Sequence, residues 1–443
     1  MDNIYKKLIY SLKWLSLESI TYQILLLIHQ IFLFKMTKLN LYGILGTIFS
    51  FVYLLVTITN LGLEGSLSPF FKKITENKRS LRSFLLLQLI PSILISFLSF
   101  IFLSTASDGF NLFLNQKLII LLSCLILLES IKKTLRAILY LSFLNKINTY
   151  VEIASLLAYI GSVWTYFFIT NKITINSIFV PMFVTSFLAT TTLFLFTRKI
   201  YQKLPSKNKR LSFSHLSIIK CRLLNFLNQF GHSLFSSNFM VPFFAAQFGF
   251  AQAGIFKLIS HISYSTTSLM RKIFGWLCDT MLSQTKDMRL ETKQAIFSSI
   301  SQILHHVLYM IAIFLIINLN KIMTYSKVDG ALVNWPLIAL FLIITLSENL
   351  FIIYEKFYIA EEKNKYTLLI NIFSILLLAS IINFNSHISQ FYILLLIATS
   401  RLSILSVLGF VSFRLWAIKP TYHVKPKYIA LSLLVSLAIF IIL

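Results

Sequence analysis

Residues 41–62 read LYGILGTIFSFVYLLVTITNLG and include no charged side chain. A helix needs about 20 consecutive apolar residues to cross the hydrocarbon core of a bilayer, so this stretch reads as a membrane span. Working outward with the same criterion, about twelve segments qualify. They are roughly 8–34, 41–62, 82–104, 118–143, 149–170, 174–197, 213–244, 251–275, 293–318, 333–358, 366–384 and 389–413. A last apolar run, Tyr428 to Leu443, is short for a span. It reads either as a thirteenth helix or as a segment lying along the surface.

The composition agrees with a chain made mostly of spans. Of 443 residues, 57% are hydrophobic and only 12% charged, and the mean hydropathy is +0.79. So few charges could not cover a soluble protein of this size. The net charge of +25 does not point to nucleic acid, because Lys and Arg fall in short clusters between apolar segments. Cys124, Cys221 and Cys278 lie far apart in or beside apolar segments, with no disulfide framework and no CxxC pair. They read as small buried hydrophobes. Met1-Asp2-Asn3-Ile4-Tyr5-Lys6-Lys7 leads into an apolar run without a small-x-small cleavage site, and reads as an uncleaved first helix.

Lys and Arg in short loops set orientation. With the N-terminus inside, the cytoplasmic loops hold Lys72, Lys73, Lys78, Arg79 and Arg82, then Lys146, then Arg198, Lys199, Lys203, Lys207, Lys209 and Arg210, with further clusters at 286–293, 363–365 and 414–427. The opposite loops hold only Lys35, Lys38, Lys117, Lys172, Lys321 and Lys327. The asymmetry recurs loop by loop, which places the N-terminus in the cytoplasm. The outer loops, near 105–117 and 319–332, are connectors rather than domains.

The halves repeat. Moving Gly43 onto Gly254 also carries Phe32, Ile44 and Tyr53 onto Phe243, Ile255 and Tyr264. A slightly larger offset carries Leu127, Glu129, Asn145, Lys146 and Ile153 onto Leu346, Glu348, Asn364, Lys365 and Ile372. The change of offset needs only a loop insertion, which loops tolerate. Six spans per half gives both halves the same orientation, a parallel repeat of the kind that frames transporter sites. The expected organisation is a six-helix bundle at 1–197, a basic cytoplasmic linker at 198–212, a second bundle at 213–418 and a tail at 419–443.

Ionisable groups within spans are expensive, by at least about 2.5–3.5 kcal/mol each, and mark a wet cavity or a partner. In the fourth span Glu129, Lys132, Lys133 and Arg136 share one face. Glu129 can pair with Lys133, leaving Lys132 and Arg136 for an anion; alternatively this end snorkels to the headgroups. The seventh span aligns Arg222, Asn225, Gln229, Ser233 and Ser236, with Asn228 and His232 beside them. Such a face cannot meet lipid; it lines a cavity or hydrogen-bonds to other helices. The eighth aligns Lys257, His261, Ser265, Ser268 and Lys272, with Arg271 adjacent. Lys257, well inside, is the leading candidate for a phosphate contact; the alternative is again snorkelling.

The first span, the repeat mate of the seventh, shows Ser16, Ser19, Gln23 and Gln30 on one face, with Lys13, Glu18 and His29 elsewhere. Glu348 and Glu355 in the tenth span could hold a coupling proton or sodium ion or simply pair with a cation, and Arg401 in the twelfth is similarly open. His305 and His306 are adjacent on a helix and point about 100° apart, so they cannot grip one metal ion. HExxH, CxxC, P-loop and GxSxG motifs are all absent, so no catalytic residue, cofactor or metal is expected.

One stretch carries a family likeness. Lys38-Leu39-Asn40-Leu41-Tyr42-Gly43, Ser50-Phe51-Val52-Tyr53, Asn60-Leu61-Gly62-Leu63-Glu64-Gly65-Ser66-Leu67 and Pro69-Phe70-Phe71 resemble the first two helices of polysaccharide exporters of the MOP superfamily. Those show a "YG" opening the second helix and a "GL" with small residues at its end. Phe248-Gly249-Phe250-Ala251-Gln252-Ala253-Gly254-Ile255-Phe256 echoes it in the second half. Within the superfamily the chain looks most like O-antigen (Wzx-like) flippases. That resemblance implies an all-α membrane fold of two parallel-repeat six-helix bundles, MATE/MOP-like. It also implies transport of an undecaprenyl-diphosphate-linked oligosaccharide across the bacterial inner membrane by alternating access, without enzymatic activity.

Under that reading Lys257, Lys132, Arg136 and Arg401 hold the diphosphate, and Gln23, Gln30, Asn225, Asn228 and Gln229 contact sugar. Glu129, Glu348 or Glu355 couples an ion, proton or sodium. The partners are the lipid-linked substrate, membrane lipids and other polysaccharide-assembly membrane proteins. The lipid II flippase branch usually has two further helices, and the multidrug MATE branch often relies on cavity carboxylates; a MATE-like drug or metabolite antiporter is the alternative.

The orientation is testable with reporter fusions. Alkaline phosphatase fused at Gly109 should be active and fused at Lys207 inactive, with a fluorescent-protein series giving the reverse.

Overall fold

The computed structural model describes residues 2–60, 78–110, 114–205, 215–233, 236–284, 364–383 and 390–416, with scattered positions in 62–75 and 291–358. The expected ninth and tenth spans for the most part, and the 428–443 run entirely, lie outside the described residues, as do positions 206–212 of the expected linker and 213–214 at the start of the second bundle.

The described regular structure is helical throughout. α1 is Asp2–Met36, α2 Leu39–Asn60, α3 Lys78–Phe110, α4 Gln116–Leu141 and α5 Asn145–Thr170. They are followed by α6 Ile175–Lys203, α7 His215–Ser233, α8 Ser237–Gln284, α9 Asn364–Asn383 and α10 Gln390–Trp416. Among the described residues, seven helices are long and apolar enough to cross a membrane. α4, at 26 residues, is also long enough; Glu129, Lys132, Lys133 and Arg136 make it too charged to qualify by composition. This is a multi-pass membrane protein.

Local chemistry marks the helix ends. The Asn115 side chain accepts the Leu118 N–H at 2.8 Å to open α4. Thr174 and Ser177 form a reciprocal capping box at the start of α6. Asn171 closes α5 in the left-handed region (φ 51°), its N–H on the Phe167 carbonyl at 2.7 Å. The seventh span departs from expectation: α7 stops at Ser233 and α8 begins at Ser237. Ser233 Oγ donates back to the Phe230 carbonyl at 2.8 Å and Ser236 Oγ to the Ser233 carbonyl at 2.6 Å. Such hydroxyls compete with the helical ladder.

The packing is that of a bilayer protein, with small polar residues inside and large apolar ones outside. On α3, Ile90, Leu94, Phe97 and Ile101 are exposed, while Ser92, Ser96, Ser99 and Leu103 are buried. Ser92 and Ser130 share a hydroxyl–hydroxyl bond at 3.0 Å, and Ser96 Oγ donates to the Ser123 carbonyl at 2.6 Å. Small residues let α3 and α4 approach closely, the usual basis of helix association in lipid. α4 packs against α2, α3, α5 and α6, so its buried charges are enclosed by protein.

The chain divides into two compact units, residues 1–29 with 36–254, and residues 30–35 with 255–443. In the first, Leu63, Leu67, Ile74, Leu81, Phe84, Ile138 and Ile218 form an apolar cluster.

Phe84 is 1% exposed and Phe97 67%. Phe84→Ala should cost about 3–5 kcal/mol, as buried Phe truncations do. Phe97→Ala, facing lipid, should leave the thermal unfolding of the detergent-solubilised protein near wild type.

Candidate functional site

The charges of α4 are gathered into one buried mesh. Lys132 Nζ lies 2.7 Å from Glu129 Oε1 and 4.0 Å from Glu152 Oε1. The Arg136 guanidinium reaches Glu18 Oε1 at 2.8 Å and Glu152 Oε1 at 3.3 Å. Tyr140 donates to both oxygens of Glu18, each at 2.9 Å, and Ser186 Oγ donates to Glu129 at 2.5 Å. Four helices contribute: Glu18 from α1, Glu152 from α5, Ser186 from α6 and the rest from α4. Glu18 is 0% exposed.

The pairing differs from the sequence-based expectation. Glu129 takes Lys132, one turn away at i+3, and Arg136 is held by Glu18 and Glu152. Neither cation faces the mesh without a carboxylate. Three carboxylates against two cations leave the mesh one negative charge in excess if all ionise. Among the described residues, no group of His, Cys, Asp and Glu is arranged to hold a metal ion; the cations stand between the carboxylates.

Polar atoms of α1 extend this region. The buried Ser19 Oγ and Gln23 Oε1 have no hydrogen-bond partner among the described residues. His29, further along, accepts at Nδ1 from Trp164 Nε1 at 3.2 Å and meets the Tyr159 hydroxyl at 3.3 Å. Indole N–H only donates, so His29 Nδ1 carries no proton. Gln30 is buried.

On α7, Arg222, Asn225 and Asn228 are buried and Gln229 is half-buried. Arg222 donates to Gln88 Oε1 and, at 3.2 Å, to the Asn60 carbonyl. Gln88 in turn donates to the Thr59 carbonyl at 3.3 Å. The two side chains therefore satisfy terminal carbonyls of α2, groups that every helix end leaves open. For Arg222 this is the interhelical hydrogen bonding weighed as an alternative to a cavity wall.

In the second unit, Lys257 lies in an unbroken buried run, 253–260, and Arg401 of α10 is 1% exposed. The Arg401 guanidinium sits 5.6 Å from the centre of the Phe351 ring. His261 is half-buried. Glu348, Glu355, His305 and His306 lie outside the described residues, as do the side chains of His232, Ser265, Ser268, Arg271, Lys272 and Cys278.

Sequence reasoning singled out Glu129, Lys132 and Arg136, set Glu18 apart from the polar face, and passed over Glu152, Tyr140 and Ser186. The rule that flagged Glu129, a carboxylate within a span, also applies to Glu152.

No family model matches the sequence, and no curated protein matches it. Solved structures do match over most of both chains. The outward-facing conformation of a multidrug resistance MATE family transporter of the MOP superfamily superposes with a TM-score of 0.64 at 12% identity, covering 93% of this chain and 96% of that one. The chain has the MATE/MOP transporter fold. The inward-facing conformation of such a transporter gives 0.63 at 11% identity over 91% and 96%. A MOP superfamily transporter from Pyrococcus furiosus gives 0.63 at 11% over 92% and 95%. The reverse polarity of that transporter's binding pocket suggests a different function for it. These neighbours are transporters, not enzymes, and MATE/MOP folds have about 12 helices, the number of spans expected here.

Removing one member of a buried ion pair leaves the other uncompensated, at about 3–5 kcal/mol. Arg136→Gln, which takes the guanidinium from both Glu18 and Glu152, should therefore lower the melting temperature in detergent sharply, whereas Glu18→Gln, with Glu152 still beside Arg136 and the excess charge removed, should lower it less. The double variant should lose less than the sum, the signature of direct coupling.

Proposed function

We propose that this protein flips an undecaprenyl-diphosphate-linked oligosaccharide, an O-antigen or other surface polysaccharide repeat unit, across the bacterial cytoplasmic membrane. It does so by alternating access, with its N-terminus in the cytoplasm. The observation that carries the reading is the burial of Lys257 and Arg401 within helices of the second unit. Cations inside a span are costly and are kept for a purpose. Two of them match the multiple charge of a diphosphate, Lys as a point charge and Arg as a planar fork. Asn225, Asn228, Gln229, Gln23 and Gln30 supply the amide groups that sugar hydroxyls require. Other polysaccharide-assembly membrane proteins are the expected partners.

Lys132 and Arg136, already engaged by carboxylates, fit a role in holding the mesh better than a role on the diphosphate. The mesh favours one second reading, a MATE-like drug or metabolite antiporter. Its excess carboxylate, from Glu18, Glu129 or Glu152, suits a coupling proton or sodium ion.

The deciding experiment is mass spectrometry of lipid extracts from cells depleted of the protein. Accumulated undecaprenyl-diphosphate carrying a complete repeat unit, with loss of the surface polymer, is the expected result. A normal lipid profile with the polymer intact would overturn the flippase reading and leave the antiporter, which resistance to cationic dyes on expression would support. Lys257→Ala should abolish export in a protein that still inserts; full activity would remove Lys257 from the site.

A further inference from the structure

Two glycines that the repeat superposes also touch, and they touch reciprocally. A Cβ on Gly43 of α2 would overlap the carbonyl oxygen of Phe250. A Cβ on Gly254 of α8 would lie 3.0 Å from the carbonyl oxygen of Leu39 and 3.2 Å from the Gly43 nitrogen. The offset that carries Gly43 onto Gly254 carries Leu39 onto Phe250. Each glycine therefore packs on the main chain of the residue four positions before the other glycine. Residue i meeting j while the equivalent of j meets the equivalent of i is the mark of a twofold relation. Here it is internal to one chain, and its local axis passes between the two glycines.

The same offset relates the breaks before the two segments. α2 starts at Leu39, after the non-helical Thr37 and Lys38. The offset carries Lys38 onto Gly249, where α8 kinks through a non-helical φ of 82° and ψ of 168°. That positive φ is tolerated by Gly and strained for other residues. Each contacting segment thus begins directly after a point where the chain can bend.

The contact is close but weakly fastened. It brings backbone against backbone, as small residues allow in lipid. Among the described residues no backbone hydrogen bond joins the two segments. The dispersion and Cα–H contacts between two such backbones are individually small. A joint of this kind closes tightly because both Cβ atoms are missing, and opens without breaking a backbone hydrogen bond between the two segments.

We propose that the Gly43–Gly254 crossing is the seal of a gate at the end of the protein where α2 starts: closed in this structure, it parts during the transport cycle. The proposal rests on the transporter reading but not on the identity of the cargo. A Cβ on Gly43 meets backbone that cannot swing aside, so Gly43→Ala holds the seal open. Gly254→Ala, with its neighbours at 3.0 Å or more, does so more mildly. Gly161→Ala on α5, where a Cβ meets nothing within 4 Å, is the control.

The test uses the full-length chain with Cys124, Cys221 and Cys278 replaced by Ser and one reporter, Ser50→Cys. Ser50 is 0% exposed and lies two turns beyond Gly43 on the same face of α2. A membrane-impermeant maleimide is applied from the side on which α2 starts. Overpacking of a tight contact shifts populations strongly, so labelling should rise about tenfold in Gly43→Ala. It should rise less in Gly254→Ala and stay unchanged in Gly161→Ala, with all three monodisperse in detergent. Unchanged labelling in both seal variants would overturn the gate, whether or not export is lost. Raised labelling in cells whose lipid-linked oligosaccharides never accumulate would uphold the gate and overturn the cargo assigned above.

Discussion

An ionised side chain inside a bilayer must find a partner or a wet cavity, and the pairing of Glu18, Glu129, Lys132, Arg136 and Glu152 meets that demand in the first compact unit. α4 is too charged to stand alone in lipid. It is placed where α2, α3, α5 and α6 pack against it, and α1 and α5 each bring a carboxylate to its cations. The mesh then fixes which faces of these helices turn inward. The serine-lined face of α3 packs on α4, and the opposite stripe of Ile90, Leu94, Phe97 and Ile101 is left to lipid.

A second constraint acts on the backbone. α2 ends in carbonyls that Arg222 and Gln88 satisfy, and it begins at the glycine contact with α8. One end is held by polar groups that water could replace, the other by close packing that only glycine permits. The fold thus combines a buried, ion-paired interior with a helix whose two ends are fastened by different chemistry.

Much of this was legible in the sequence. Residues 41–62 lack charge and have the length of a span, and the described helices match the first six expected spans with only end shifts, whereas in place of the seventh and eighth α7 stops at Ser233 and α8 runs from Ser237 to Gln284 through a kink at Gly249. Ser233 and Ser236 turn their hydroxyls onto main-chain carbonyls at the α7–α8 junction, a feature periodicity does not register. The partners of Arg136 were not legible, because Glu18 and Glu152 reach it from other helices. Spacing along α4 could only offer Glu129, and Lys132 is the closer partner for that carboxylate. Gly43 and Gly254 stood out as repeat mates, but their mutual contact is a property of three-dimensional packing. Lys257 and Arg401 were selected by the cost of charge in a span, and their burial is the property that the transport reading uses.

The most direct measurement is a translocation assay with the purified full-length protein in liposomes containing a fluorescent undecaprenyl-diphosphate oligosaccharide. The fraction open to a membrane-impermeant quencher reports which leaflet holds the lipid. The account predicts that the protein moves inner-leaflet lipid into the quenched fraction, and that Lys257→Ala abolishes the movement. A quenched fraction equal to that of protein-free liposomes, in vesicles where the same protein moves a cationic dye, would contradict it.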